Sequence, residues 1–358
     1  MFARHTLSRR QFVGAAAASV VLPGSAFGQA AKNVKILLPN SAILLSWAPS
    51  YLAEALGYYK DEGLAVERIA TNGGPAGLTA LLAGSGPLVL TPPGELLAAA
   101  AKGQRLKTLM PQANNLGFTF VISKDYAARH NITADATLEQ RRAVLKNFKG
   151  IRCGVTGAGG TIDLATRIML SDSGLDASVD ANMLPLGSSA SFLAGLSNNT
   201  LDGFMASTPV PEFAISQLGA VQLFSVAKSE IRVLNGLVGH VTEARSVDVE
   251  RDPDLYTAFI RADVRATRYI VEKPSEAADA LYQARFSSIV NRDLWSTIWN
   301  NNLSLFRTPY ITKENLELWV KVGLVTGVSD PAAIKFDEVV DMRFVDSAVK
   351  KIGWKIPA

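Results

Sequence analysis

The densest concentration of groups able to hold a ligand is Thr156-Gly157-Ala158-Gly159-Gly160-Thr161, a glycine cluster set directly ahead of a helical pattern. Backbone N–H groups at a helix N-terminus are free to donate to an acceptor, an interaction worth roughly 0.3–1 kcal/mol per charge. Thr161 can cap the first turn. Asp163, inside the same turn, opposes a full negative charge there. Glycines after a strand also serve turn geometry alone. The cluster lacks the lysine of a phosphate-binding loop and does not have the G-x-G-x-x-G spacing of a dinucleotide site.

Five further loops carry hydroxyls and amides: Asn40–Ser50 (with Ser41, Ser46 and Trp47), Thr91-Pro92-Pro93, Asn114-Asn115-Leu116, Gly187-Ser188-Ser189 and Ser207-Thr208-Pro209. None contains Lys or Arg. A pocket for a strong anion usually brings arginine for bidentate pairing. Its absence points to a neutral, weakly charged or aromatic organic ligand, with an anion held by N–H and O–H donors alone as the alternative. The expected ligand contacts are Ser46, Trp47, Thr91, Pro92, Asn115, Gly159, Gly160, Thr161, Ser188, Ser189, Ser207 and Thr208. Trp47 would wall a planar ligand or else pack the first helix. Glu95 and Glu212, just beyond two of the loops, can pair with an amine or amidine, or simply favour the first turns of their own helices.

Catalytic chemistry finds little support. Beyond the first 30 residues the histidines are His130 and His240, and Cys153 is the single cysteine. There is no H-E-x-x-H, no paired cysteines and no G-x-S-x-G elbow. Cys153 lies in the strand-like run Ile151–Val155 and reads as a buried thiol. His240 reads as a hinge or core residue, and Trp295, Trp299 and Trp319 as core. No cofactor, no metal and no enzymatic activity are expected.

The elements that must position the loops alternate between strand and helix. Strands are predicted at Val34–Leu38, Leu64–Ala70, Leu88–Leu90 and Leu106–Met110. Helices are predicted over Tyr51–Tyr59, Ala76–Ala83 and Glu95–Lys102. A second series follows a charged excursion at 125–149: strands at Ile151–Val155, Asn182–Leu186, Leu201–Ala206 and Val221–Val226, with helices at Thr161–Ser171, Ser189–Leu196 and Pro209–Leu218. Phe118–Ser123 and Gly236–Val241 are read as extended crossovers between the two series. Helices are expected near 253–273, 276–286, 293–302, 313–322 and 336–351. Two α/β lobes joined in this way leave a cleft facing the carboxyl ends of their strands.

At 358 residues with 48% hydrophobic content, the chain can bury two such cores. Residues 1–30 are set apart. Arg4, Arg9 and Arg10 precede an Ala-rich apolar run, Phe12–Leu22, and a cleavage-like Gly28-Gln29-Ala30. This reads as an export signal, and Ser8-Arg9-Arg10-Gln11-Phe12-Val13 resembles the twin-arginine motif. An ordinary secretory signal with two arginines is the alternative. Removing three arginines and no acid takes the net charge from +4 to +1. With no Lys/Arg block in the remainder, nucleic-acid binding lacks an electrostatic basis.

Residues 53–67, AEALGYYKDEGLAVE, followed by ALLAGSGPLVL at 80–90, resemble the solute-binding proteins of ABC importers for nitrate, taurine, other sulfonates and thiamine-precursor pyrimidines. The resemblance runs over roughly 33–345 and is strongest before 110. It implies the α/β, two-lobed type II periplasmic binding protein fold with two crossover strands and C-terminal helices, divided as 31–122 plus 236–358 (lobe 1) and 123–235 (lobe 2). It implies a periplasmic monomer that closes on a small-molecule solute, with the glycine loop gripping the solute's polar end, and delivers it to an ABC permease in the inner membrane. Two alternatives accompany it. One is a pyrimidine-forming enzyme of the same fold, although the cysteine-rich iron motif of those enzymes is missing. The other is a solute-sensing partner of a membrane kinase or non-ABC transporter.

Overall fold

The computed structural model describes residues 31–40 and 43–357, so the expected export segment at 1–30, and Ser41, lie outside it. Ten strands occur among the described residues: β1 Lys32–Leu38, β2 Leu64–Ala70, β3 Leu88–Thr91, β4 Leu106–Pro111, β5 Phe118–Ile122, β6 Ile151–Val155, β7 Ala181–Pro185, β8 Gly203–Ser207, β9 Val221–Ser225 and β10 Val241–Arg245. They form two five-stranded sheets, ordered β2-β1-β3-β10-β4 and β7-β6-β8-β5-β9. In the first, β1 is parallel to β2 and β3 while β10 runs antiparallel to β3 and β4. In the second, β6 is parallel to β7 and β8 while β5 runs antiparallel to β8 and β9.

The inner strand β3, Leu88–Thr91, is buried along its length, and the second half of β1 is apolar, because both faces are covered. Ile36 and Leu38 point into one apolar cluster and Leu37 into the other, and Leu88 and Leu90 are likewise separated from Val89. Strands buried on both sides read as continuous hydrophobic runs. Cys153, on β6, is wholly buried, and burial pushes its thiol far above the usual range, so it is a core residue rather than a nucleophile.

Several expectations are corrected. Phe118–Ile122, in the stretch 118–123 read as a crossover between the lobes, is not a passage between the sheets. It is β5, fully buried, hydrogen-bonded on both edges within the second sheet. The chain instead passes between sheets at 112–117 and 226–240. There Gln112 N and Ala113 N donate to His240 O at 2.7 and 3.1 Å, and Gly239 N donates to Ala113 O at 2.9 Å. The two passages are thus bonded to each other. Gly239 is required at this point, because a Cβ there would stand 2.3 Å from Asn115 O. The first helix is split into Ala48–Ala55 and Tyr58–Asp61 by Gly57 in the left-handed region. The helix expected over 336–351 is broken into Phe336–Val339 and Arg343–Ile352, because Val340 bridges Thr108 and Asp341 N donates to Thr108 O at 3.0 Å.

The 20-residue helix Pro253–Glu272 lies against the first sheet's helices, and Trp319, from Lys313–Lys321, donates its indole N–H to Val238 O at 3.2 Å. The late helices therefore buttress the returning passage. Among the described residues, no helix is long and apolar enough to cross a membrane.

Candidate functional site

Open α/β sheets leave loops and helix N-termini beyond the carboxyl ends of their parallel strands. Here those ends face one another across a small cavity of about 50 Å³. The first sheet contributes Pro39 and Asn40 after β1, Gly73 and Gly74 after β2, and Pro92 and Glu95 after β3. The second contributes Thr156, Thr161 and Ile162 after β6, Ser207 at the end of β8, and Phe118 at the start of β5. Leu44 and His240 complete the wall.

The helix Thr161–Asp172 opens on this cavity, but its first turn is not free. Thr161 does not cap it. Gly160 is the cap residue and makes no side-chain cap. Glu95, from the opposite sheet, reaches across: Thr161 N donates to its Oε1 at 3.2 Å, and the Thr161 hydroxyl lies 3.4 and 3.3 Å from its two carboxyl oxygens. Asp163 is turned away from any ligand. Its Oδ2 accepts from Gly159 N at 2.8 Å, and its Oδ1 pairs with Arg167 at 2.7 Å. A carboxyl of this chain thus stands where the sequence reading placed the polar end of a ligand. Two more hydrogen bonds join the rims, Leu45 N to Thr208 O at 3.0 Å and Thr326 Oγ1 to Gly159 O at 2.6 Å.

Burial sets the charge state of this wall. It pushes the Glu95 carboxyl above the usual carboxylate range, against the pull of its own backbone N–H and of Thr161. Behind it, Glu243 on β10 accepts from Thr91 Oγ1 at 3.0 Å, and burial together with the nearby Glu95 charge raises it much further. Glu212 accepts from Thr208 Oγ1 at 3.1 Å and is also raised by burial. His240 is driven down to about 3 by burial, so its ring is neutral. Among the described residues, no Lys or Arg lines the cavity.

The structure brings only some of the expected contacts together. Pro92, Thr161 and Ser207 line the cavity, and Gly160 lies against Glu95. Gly159 turns the loop with φ +71° and faces Thr326. Thr91 and Thr208 lie just behind the wall, holding the carboxyls of Glu243 and Glu212. Ser46 is buried in the turn Leu45–Trp47. Trp47 is fully buried one ring behind His240, 5.7 Å away edge to face, and does not line the cavity. Asn115 accepts from Arg307 at 3.1 Å, Ser188 caps the helix Ser189–Ser197 through Ser191 N, and Ser189 begins that helix. Asn115 and Ser188 are not among the lining residues. Glu243 escaped the sequence reading. Its strand sequence, Val-Thr-Glu-Ala-Arg, does not distinguish it from an exposed strand, and only the structure shows it buried.

The cross-sheet contact can be tested without touching either partner. A Cβ on Gly74 would stand 2.5 Å from Glu95 Oε1, and the flexible carboxyl, not the backbone, has to give way. Gly74→Ala is expected to cost about 1–2 kcal/mol through the lost hydrogen bond. It should also speed hydrogen exchange at the Thr161 amide about tenfold. An amide as protected as before would show that the contact is not made in solution.

A family model described as the NMT1-like family matches residues 43–284. No curated protein matches the sequence. Solved structures do. A protein of Bordetella bronchiseptica RB50 superposes with TM-score 0.75 at 20% identity, covering 91% of this chain and 99% of that one. The ligand-binding component of an ABC-type import system from Staphylococcus aureus, with zinc bound, superposes at 0.67 with 15% identity, covering 88% and 99%. The periplasmic nitrate-binding protein NrtA from Synechocystis PCC 6803 superposes at 0.67 with 16% identity, covering 91% of each. At such identities the likeness establishes the fold, that of periplasmic binding proteins, while the family model spans most of the described chain. The chain belongs to the NMT1-like family.

Proposed function

We propose that this chain is a non-catalytic, exported solute receptor of an ABC importer. It would hold a small organic solute of the sulfonate, pyrimidine or aromatic type between two lobes, one built on each sheet, and pass it to an inner-membrane permease as a periplasmic monomer. The observation that carries this reading is the cavity at the facing strand ends, closed over by the Glu95–Thr161 hydrogen bond. A contact across the rim is made or broken as the lobes move about the paired passages at 112–113 and 239–240. A solute shifts that equilibrium only by favouring the closed form. Similarity to import-system binding proteins supports the same role.

The test is a thermal-shift and small-angle scattering screen across sulfonates, pyrimidines and aromatic acids and amines. A hit should raise the unfolding temperature and reduce the radius of gyration together. Thr161→Ala, which deletes the hydroxyl facing Glu95, is expected to weaken that hit about tenfold with the fold intact. No shift and no compaction with any compound would remove the reading.

A further inference from the structure

The cavity wall is acidic without compensation. Among the described residues that line it, Glu95 is the one carboxyl group, His240 is held neutral, and none is basic. Glu243 is wholly buried on β10, and its Oε1 has no hydrogen-bond partner among the described residues. Glu212 leaves Oε2 equally unsatisfied. Neither is among the lining residues, so a solute in the cavity meets Glu95. The donors that would have served an anion, at the start of Thr161–Asp172, are already turned to Glu95. A sulfonate or nitrate placed there would meet a carboxylate instead of an open helix end.

We infer that the solute carries a protonated nitrogen group, an ammonium or amidinium, which docks on the Glu95 carboxylate, and that Glu95 is the residue excluding strong anions. The inference rests on the receptor reading and narrows its ligand class. The cation adds donors to the Glu95 carboxylate and stabilises its ionised form. Burial raises Glu95, and a bound cation, by favouring its ionised form, draws protons off it. Thr161 remains a donor to Oε1 and keeps the carboxylate oriented.

The experiment is isothermal titration of the protein with three probes of one size: benzamidine (protonated), benzyl alcohol and benzenesulfonate. Each is run in two buffers of different ionisation heat. Benzamidinium should bind at least about tenfold tighter than the other two, with net proton release below neutral pH. Glu95→Gln, which retains an acceptor for Thr161, should lose about tenfold or more for benzamidinium while its unfolding temperature stays near wild type. It should lose nothing for benzyl alcohol. Benzenesulfonate binding as well as benzamidinium, or an unchanged Glu95→Gln affinity, overturns the inference. If anions or neutral compounds bind and compact the protein, only the cation assignment falls. If no member of the wider screen binds, the receptor reading falls with it.

Discussion

Trp47→Ala is expected to destabilise the protein by about 3–5 kcal/mol, the range for emptying a buried tryptophan site. The indole is fully buried and donates its N–H to Leu90 O at 3.2 Å. It meets Tyr51 edge-on at 6.3 Å and His240 at 5.7 Å. Truncation removes a large apolar contact, the bond to the β3 carbonyl, and the surface against which His240 rests. Trp47→Phe keeps most of the ring area and loses the N–H, so it should cost about 1–2 kcal/mol. Urea unfolding of both variants separates packing from hydrogen bonding. A loss below about 1 kcal/mol for the alanine variant would mean that Trp47 is not the core residue described here. Weakened ligand binding in Trp47→Ala would follow from a displaced His240, not from a lost ligand contact.

The second large effect concerns Asp263, on the helix Pro253–Glu272. It is wholly buried and accepts from Gln112 Nε2 at 2.6 Å and from Tyr59 OH at 2.5 Å. Burial lifts its pKa from 3.8 to about 7, although those two donors and the Arg68 charge pull the other way. The folded state therefore binds this proton more tightly than the unfolded chain does. Stability from this group is fully present below pH 3.8 and is lost as pH rises to about 7. At 1.36 kcal/mol per pKa unit, the loss is on the order of 4 kcal/mol.

Glu243, Glu95 and Glu212 are raised too and add slopes of the same sign. His240, lowered from 6.5 to about 3, gives the opposite slope, because below pH 6.5 the unfolded chain takes up a proton that the folded state refuses. His130, lowered mainly by burial, acts in the same direction as His240. The decisive quantity is therefore the difference between wild type and Asp263→Asn, measured by denaturant unfolding across that window. The variant should lose the Asp263 slope, so that the wild type's advantage shrinks steadily from acid to neutral pH. Parallel profiles would refute the assignment. Gln112 sits in the passage between the sheets, so the same proton also acts beside the hinge of the proposed closure.

Much of the architecture is legible along the chain. Leu64–Ala70 and Ile151–Val155 are strands as the apolar runs predict, and Gly63, at φ +72°, ends the preceding helical turn as its type suggests. Local steric rules and the two-sided burial of parallel strands act over a few residues, so a few residues reveal them. Membership of a sheet is another matter. Phe118–Ile122 is equally apolar whether it crosses between lobes or pairs within one, and only its partners β8 and β9 decide.

The site divides along the same line. That the post-strand loops would carry hydroxyls and glycines, and that no arginine or lysine accompanies them, follows from residue types alone. That Glu95 spans 66 positions to reach Thr161 does not. Nor does the burial of Glu243 and His240, whose ionisation is set by how much water the surrounding strands and late helices exclude. Desolvation depends on every neighbour in three dimensions. The order of residues therefore determines which loops are available and what chemistry they bring, and tertiary packing alone decides which carboxyl faces the cavity and in what charge state.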